Sequence, residues 1–275
     1  VISKGGYASF PAVFAARILK IPVIVHESDS FPGKLNVWTA KFAERVAISW
    51  PEASEYLPKG KTVLTGQPIR KEILHGDPNG AFEFFKLKPE IPVIVVLGGS
   101  QGASVINDII IDTLPELLSK YQIIHQVGEK NIEDLSNRLK FVKLDNQNSS
   151  RYVYLPSLNS LSLRMAAGCA SLVISRAGSA IFEIASWGIP SIIIPITNSN
   201  GDHQRKNAFN YARSGACEVI EETNLSKSLL ISQVDNILSS QNKYNLMKEK
   251  ALNFANINAA EQIAQASIDI ALTHY

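Results

Sequence analysis

The run Leu97-Gly98-Gly99-Ser100-Gln101-Gly102 ends a β-branched apolar stretch and opens a helix near Ala103. Glycines at such a turn let the backbone close on a phosphate, and the helix N-terminus adds free N–H donors and a partial positive charge. The spacing fits neither the dinucleotide G-x-G-x-x-G loop nor a Walker A loop, which argues against NAD and ATP and for another diphosphate. A plain tight turn between strand and helix is the alternative. Gly5-Gly6-Tyr7 is a weaker loop of the same kind. Ser175-Arg176-Ala177-Gly178 is a third, and it sets Glu183 about one turn into the next helix. A carboxylate there can accept two ribose hydroxyls, or simply complement the helix dipole. Arg70, in Gly66-Gln67-Pro68-Ile69-Arg70, is either a bidentate phosphate ligand or a solvated charge. Two polar clusters, His26-Glu27-Ser28-Asp29 and Asp202-His203-Gln204, follow apolar runs in the place where open α/β sheets bind ligands. His26 is the one weak candidate for an acid or base, although a histidine satisfied by backbone fits the pattern better.

Elements that would present these residues recur along the chain. Short β-branched runs are expected at 22–26, 45–49, 61–65, 92–97, 121–127, 151–155, 171–175, 191–195 and 216–220, alternating with helix-period segments. Several are apolar on both faces, as strands of a helix-covered parallel sheet are. The class is α/β. A polar, Gly/Pro-punctuated lapse between Gly66 and Ile91 suggests a boundary, giving domains at 1–88 and 89–250. Residues 251–275 form a C-terminal segment in which Ala251 to Leu272 reads as one amphipathic helix. Its stripe of Ile257, Ile263, Ile268 and Leu272 favours packing on the second domain over a strap to the first. Because Val1-Ile2-Ser3 reads as the tail of a strand, the first domain is expected to be incomplete or unusually small.

Composition narrows the classes. The 275 residues are 45% hydrophobic and 19% charged, an ordinary globular balance. The longest apolar stretch, Ile189 to Ile196, is far short of the roughly 18 residues of a membrane span. Two cysteines, Cys169 and Cys217, make no disulfide framework and no zinc spacing. Residues 1–88 carry 12 Lys and Arg against 8 Asp and Glu, which is too weak for a nucleic-acid footprint but suits a domain resting on anionic lipid.

Six motifs in register, Gly5-Gly6-Tyr7, His26-Glu27, Gly66 to Arg70, Gly98 to Gly102, Ser175 to Gly178 with Glu183, and Asp202-His203-Gln204 with Asn207-Ala208, resemble the MurG glycosyltransferases. The resemblance implies a GT-B fold: two Rossmann-like domains with parallel sheets facing a cleft. It implies transfer of N-acetylglucosamine from UDP-N-acetylglucosamine to lipid I, the undecaprenyl-diphospho-muramoyl-pentapeptide, yielding lipid II for peptidoglycan. The enzyme would work as a peripheral protein on the cytoplasmic face of the cell membrane, with other cell-wall enzymes as partners and no resident cofactor or metal. Carried over by residue, Ser100, Gln101 and Arg70 would hold the donor diphosphate and Glu183 the ribose. His203, Gln204 and Asp29 would hold the sugar, and Gly5, Gly6 and Tyr7 would help form the acceptor diphosphate pocket. The uracil loop would lie near 155–158.

There are departures from the family pattern. Ser28-Asp29 stands for the usual Gln-Asn and Gln67 for an Asn, the Arg176 to Glu183 spacing is one residue short, and the family's first Gly-rich loop, which bears a histidine proposed as general base, has no counterpart in these residues. Donor binding is therefore better founded here than turnover, and restoring such a loop is expected to raise the rate. A one-step inverting displacement by the muramoyl 4-hydroxyl is the expected chemistry. Another UDP-sugar:lipid transferase, or a UDP-sugar-binding module needing a separate N-terminal part, are the competing readings. A dinucleotide oxidoreductase is opposed by the missing G-x-G-x-x-G.

Overall fold

The computed structural model describes residues 1–99, 103–197 and 200–274, and these form two compact units, 1–69 with 256–275, and 70–255. In the first unit four parallel strands run in the order of the chain: β1 (Ile2–Ser3), β2 (Ile24–Glu27), β3 (Arg45–Ile48) and β4 (Thr62–Leu64). Two helices connect them, α1 (Phe10–Ile18) and α2 (Lys34–Ala40). Val23, Val25, Val46 and Ile48 supply the sheet side of the core, and Ala16, Ala40, Ala43 and Leu57 the covering side. β2 is buried at every position, as the two-faced apolar pattern requires.

The second unit begins with a short α3 (Ala81–Phe85), followed by a six-stranded parallel sheet. Its strands are β5 (Val93–Leu97), β6 (Gln122–Gln126), β7 (Tyr152–Leu155), β8 (Ala170–Ser175), β9 (Ser191–Ile193) and β10 (Cys217–Val219). The spatial order is β10-β9-β8-β5-β6-β7. Numbered within the unit this is 3-2-1-4-5-6, the doubly wound arrangement with its switch point between β5 and β8. Helices α4 (Ser104–Lys120), α5 (Ile132–Leu139), α6 (Asn146–Ser149), α7 (Ser160–Cys169), α8 (Ala180–Trp187), α9 (His203–Arg213), α10 (Lys227–Leu238) and α11 (Gln241–Phe254) complete it. Ile106, Ile110, Leu114 and Leu117 of α4 recur at helical spacing and pack with Ile94, Val96, Leu172 and Ile174 of the sheet. A buried chain of hydrogen bonds ties α4 to the sheet. His125 Nδ1 meets the Tyr152 hydroxyl at 2.8 Å, His125 Nε2 meets Asn107 Oδ1 at 3.0 Å, and Asn107 Nδ2 donates to Val127 O at 3.1 Å.

All nine strand runs expected from the sequence form, and β1 forms where Val1-Ile2-Ser3 reads as the tail of a strand. The boundary falls elsewhere: the units divide at 69/70, not 88/89. The polar stretch is anchored in the second unit. Trp187 Nε1 donates to Ile73 O at 2.6 Å, Arg164 pairs with Asp77 at 3.3 Å, and Gln122 bonds both the N–H and the carbonyl of Lys88. The single C-terminal helix is also corrected. It breaks after Phe254, and α12 (Ala259–Thr273) groups with the first unit, not the second. Asn256 causes the break: its side chain donates to Thr65 O at 2.6 Å and accepts from Asn258 N at 3.1 Å, a local bond that competes with the helix. Of the expected stripe only Ile263 is buried; Ile257, Ile268 and Leu272 are exposed.

Candidate functional site

A cavity of about 510 Å³ opens at the carboxyl ends of the second unit's strands, at the switch point. Leu97, Gly98 and Gly99 follow β5, Gln126 ends β6, and Ser175 and Arg176 end β8. Gly98 sits in a tight place: a Cβ there would lie 3.0 Å from Gln126 O and 3.2 Å from Ala103 N, a crowding that glycine avoids. Gly99 takes φ +77°, a left-handed value that favours glycine. Ser100 and Gln101, the residues expected on the diphosphate, lie outside the described residues.

Arg70 and Glu183 line the same cavity and pair across it, Nη2 to Oε1 at 3.2 Å, with Arg70 Nη1 donating to Ser160 Oγ at 3.4 Å. Arg70 precedes a short helical turn, and Glu183 stands in the first turn of α8. Burial pushes the Glu183 carboxyl above its ordinary range, opposed by the nearby Arg70 charge. Gln204 lines the cavity, its Oε1 accepting from Ile196 N at 3.2 Å. His203 is not among the lining residues: its ring lies against Gly201, where a Cβ would come within 2.7 Å of Nε2. Leu158 does line it, at the end of the stretch expected to form the uracil loop.

The remaining predicted residues belong to the first unit. Gly5 and Gly6 take φ +79° and +77°, and Tyr7 is 96% exposed. Glu27 organises this corner as a buried carboxylate: it accepts from Asp29 N at 2.9 Å, Gly33 N at 3.0 Å and Asn36 Nδ2 at 2.8 Å. The Asn36 amide in turn packs beneath Gly5, where a Cβ would meet it at 2.7 Å. Asp29 sits half-buried in the loop after β2. His26 takes the form the sequence favoured, a histidine satisfied by the backbone, and not that of the weak acid or base candidate. It is 1% exposed, its Nε2 faces Gly66 O at 3.2 Å and Ser49 Oγ at 3.3 Å, and Ser28 Oγ meets Nδ1 at 3.4 Å. Burial, reinforced by Lys4, pushes its pKa down to about 4. A ring so enclosed is a structural crosslink between β2 and the end of β4, not an accessible base.

Arg176, Gln126 and Ile196 also belong to the cavity, without a site role expected from the sequence. The signal that would have found them is position: each ends or follows a strand beside the switch point.

A doubly wound unit with a charged cavity at its switch point, in a chain that also holds a second parallel α/β unit, has the composition of a GT-B glycosyltransferase. Profiles for the glycosyltransferase family 28 C-terminal and N-terminal domains match residues 93–266 and 1–48. A Pediococcus pentosaceus protein, "UDP-N-acetylglucosamine--N-acetylmuramyl-(pentapeptide) pyrophosphoryl-undecaprenol N-acetylglucosamine transferase", is 34% identical over 265 residues, covering 96% of this chain and 71% of the relative. A protein of the same name from Acetivibrio thermocellus is 35% identical over 278 residues, covering 98% and 72%. The crystal structure of Acinetobacter baumannii MurG superposes with a TM-score of 0.76 at 25% identity, covering 97% of this chain and 72% of that one. The chain belongs to the MurG family of glycosyltransferases.

Proposed function

We propose that this chain transfers N-acetylglucosamine from UDP-N-acetylglucosamine to lipid I, forming lipid II with inversion at the anomeric carbon. The observation that carries this reading is the cavity itself. It sets a cation, Arg70, and a carboxylate, Glu183, within reach of one ligand at a nucleotide-binding switch point. Arg70 suits the diphosphate and Glu183 the ribose hydroxyls, whose O–H groups donate to a carboxylate. Gln204 offers both a donor and an acceptor for sugar hydroxyls, and Asp29, His203, Ser100 and Gln101 are assigned to the donor by family resemblance. Gly5, Gly6 and Tyr7 are assigned likewise to the acceptor diphosphate.

In the reaction the muramoyl 4-hydroxyl oxygen forms the new bond to the anomeric carbon as the bond to the UDP oxygen breaks. The hydroxyl proton passes to a base, and UDP departs with the electron pair. Positive charge from Arg70 and the N-terminal dipole of α4 face the leaving diphosphate, which is where negative charge develops. With these groups in place the reading calls for no resident cofactor or metal, and a chelator is expected to leave the rate unchanged.

A peripheral position on the cytoplasmic face of the membrane is supported by the surface of α1. Phe10, Phe14, Ile18 and Leu19 are exposed there, close in sequence to exposed Tyr7 and to Lys4, Arg17 and Lys20. Among the described residues no helix is long and apolar enough to cross a membrane.

The deciding experiment is transfer of labelled N-acetylglucosamine from its UDP donor to a lipid I analogue, run beside calorimetric titrations with UDP, NAD and ATP. Heat with UDP alone, together with a lipid II product, is the expected result. Heat with NAD but not with UDP would defeat the reading.

A further inference from the structure

Glu222 lies behind the wall of the donor cavity, not in it. It follows β10 in a short helical turn, and its carboxylate joins two elements that do form the wall. Oε1 accepts from Arg176 Nη1 at 2.6 Å. Oε2 accepts from the Thr197 N–H at 3.0 Å and from the Thr197 hydroxyl at 2.8 Å. Arg176 Nη1 also donates to Ile194 O at 3.0 Å, and Gln204 holds Ile196 N from the helix side. The segment Ile194–Thr197 is thus gripped at three of its four residues by Arg176, Gln204 and Glu222.

That segment is a thin partition. Ile196 lines the donor cavity and also a separate pocket of about 280 Å³, whose lining includes Thr197 and Glu222. The ion pair behind it is well enclosed, with side-chain exposures of 13% for Arg176 and 15% for Glu222. Among the described residues Arg176 Nε is buried and has no hydrogen-bond partner. The guanidinium is therefore held at the cavity wall already desolvated and anchored through Nη1. Removing the carboxylate would leave the guanidinium held only by Ile194 O and would strip Thr197 of both its bonds. Burial by itself would raise the Glu222 carboxyl, but the bonds from Thr197 and Arg176 hold it below the ordinary range. It stays ionised at neutral pH, as this double role requires.

We propose that Glu222 is a positioning residue for the donor site, acting through Arg176 and Thr197 to fix the guanidinium and the 194–197 wall against the nucleoside diphosphate. The proposal rests on the reading of the cavity as the UDP-sugar site. A buried ion pair also supports the fold, so loss of melting temperature alone does not separate the two roles. Ligand affinity and its coupling to Arg176 do.

The test is calorimetric titration of UDP into the wild-type chain, Glu222→Gln, Arg176→Ala and the double variant, each checked for a cooperative melt. Glu222→Gln keeps the shape and removes the charge; UDP is expected to bind about tenfold more weakly. The double variant is expected to bind less weakly than the product of the two single losses, because Glu222 acts in part through Arg176. Wild-type affinity in Glu222→Gln, with any change confined to its melting temperature, would overturn the proposal, as would losses that multiply in the double variant. If Glu222→Gln does not fold, Thr197→Val removes one of the three bonds, and a twofold to threefold loss, or none, decides in the same sense. Absence of UDP binding by the wild type would instead overturn the donor-site reading, and this inference with it.

Discussion

Arg70 and Glu183, 113 positions apart in sequence, meet at 3.2 Å on the wall of the cavity, and on the proposed donor-site reading each is the partner the other releases when a nucleotide enters. Their side chains are 49% and 22% exposed, so the pair itself is worth only about 0–1 kcal/mol. Charge-assisted bonds from the ribose to Glu183 and from Arg70 to a phosphate are worth roughly 1.5–3 kcal/mol each, and the exchange favours the ligand. Glu183→Ala is therefore expected to weaken UDP binding by about 1–3 kcal/mol with little change in melting temperature. Titration calorimetry reads it, and an unchanged dissociation constant would move the ribose ligand elsewhere.

The pH dependence of donor binding follows from the same pair. Burial raises the Glu183 carboxyl and Arg70 opposes the rise. Because the ribose hydroxyls need the ionised form, UDP affinity should fall on acidification at a higher pH than for an ordinary glutamate. Arg70→Ala removes the opposing charge and should move that midpoint higher still, while Glu183→Gln should flatten the profile. Dissociation constants measured from pH 8 down to pH 5 check all three.

Two buried histidines make each unit acid-sensitive. Burial holds His26 near pKa 4, with Lys4 adding to the effect, and burial holds His125 near 3, against an ordinary 6.5. Below 6.5 the unfolded chain takes up protons that the folded one refuses, so stability is full above that pH and is lost as pH falls toward the folded values. The slope is about 1.4 kcal/mol per pH unit for each histidine. Urea unfolding between pH 7.5 and 4.5 should show it, and His125→Gln should remove one share of the slope.

Much of this was legible in the chain because strands covered on both faces announce themselves as β-branched runs, and each Gly-rich turn followed one. The cavity's Arg70, Glu183 and Gln204 were legible for the same reason: they sit where strands end. The unit boundary was not, because what ties 70–91 to the second unit is long-range: a Trp187 ring nitrogen on Ile73 and an Arg164 charge on Asp77 leave no local pattern. The break before α12 was hidden likewise, since Asn256 ends the helix by reaching Thr65, 191 residues away. His26 was ambiguous by type alone; only its burial beneath Gly66 and Ser49 decides it. Glu222 had no signal, because its partners, Arg176 and Thr197, come from two other loops.

Gly168 tests the seam that carries Arg70 into place. It is a residue of α7, and a glycine inside a helix normally gains about 0.4–1 kcal/mol on replacement by alanine, through lost unfolded-state freedom. Here the Cβ would land on the Asp77 carbonyl, and Gly76 faces the same seam, its own Cβ position only 2.6 Å from Gly168 N. The atoms met on both sides are backbone, with no flexible side chain to swing away, and Asp77 N also donates to Arg164 O at 3.2 Å. Overlap must therefore outweigh propensity: Gly168→Ala is expected to destabilise the second unit by about 2–3 kcal/mol and to loosen the 70–77 segment, weakening UDP binding along with it. Gly60→Ala is the control, since its Cβ would meet nothing within 4 Å. Thermal unfolding of the two variants beside the wild type makes the comparison, and a Gly168→Ala protein as stable as the Gly60→Ala control would show that the seam is not closed in solution.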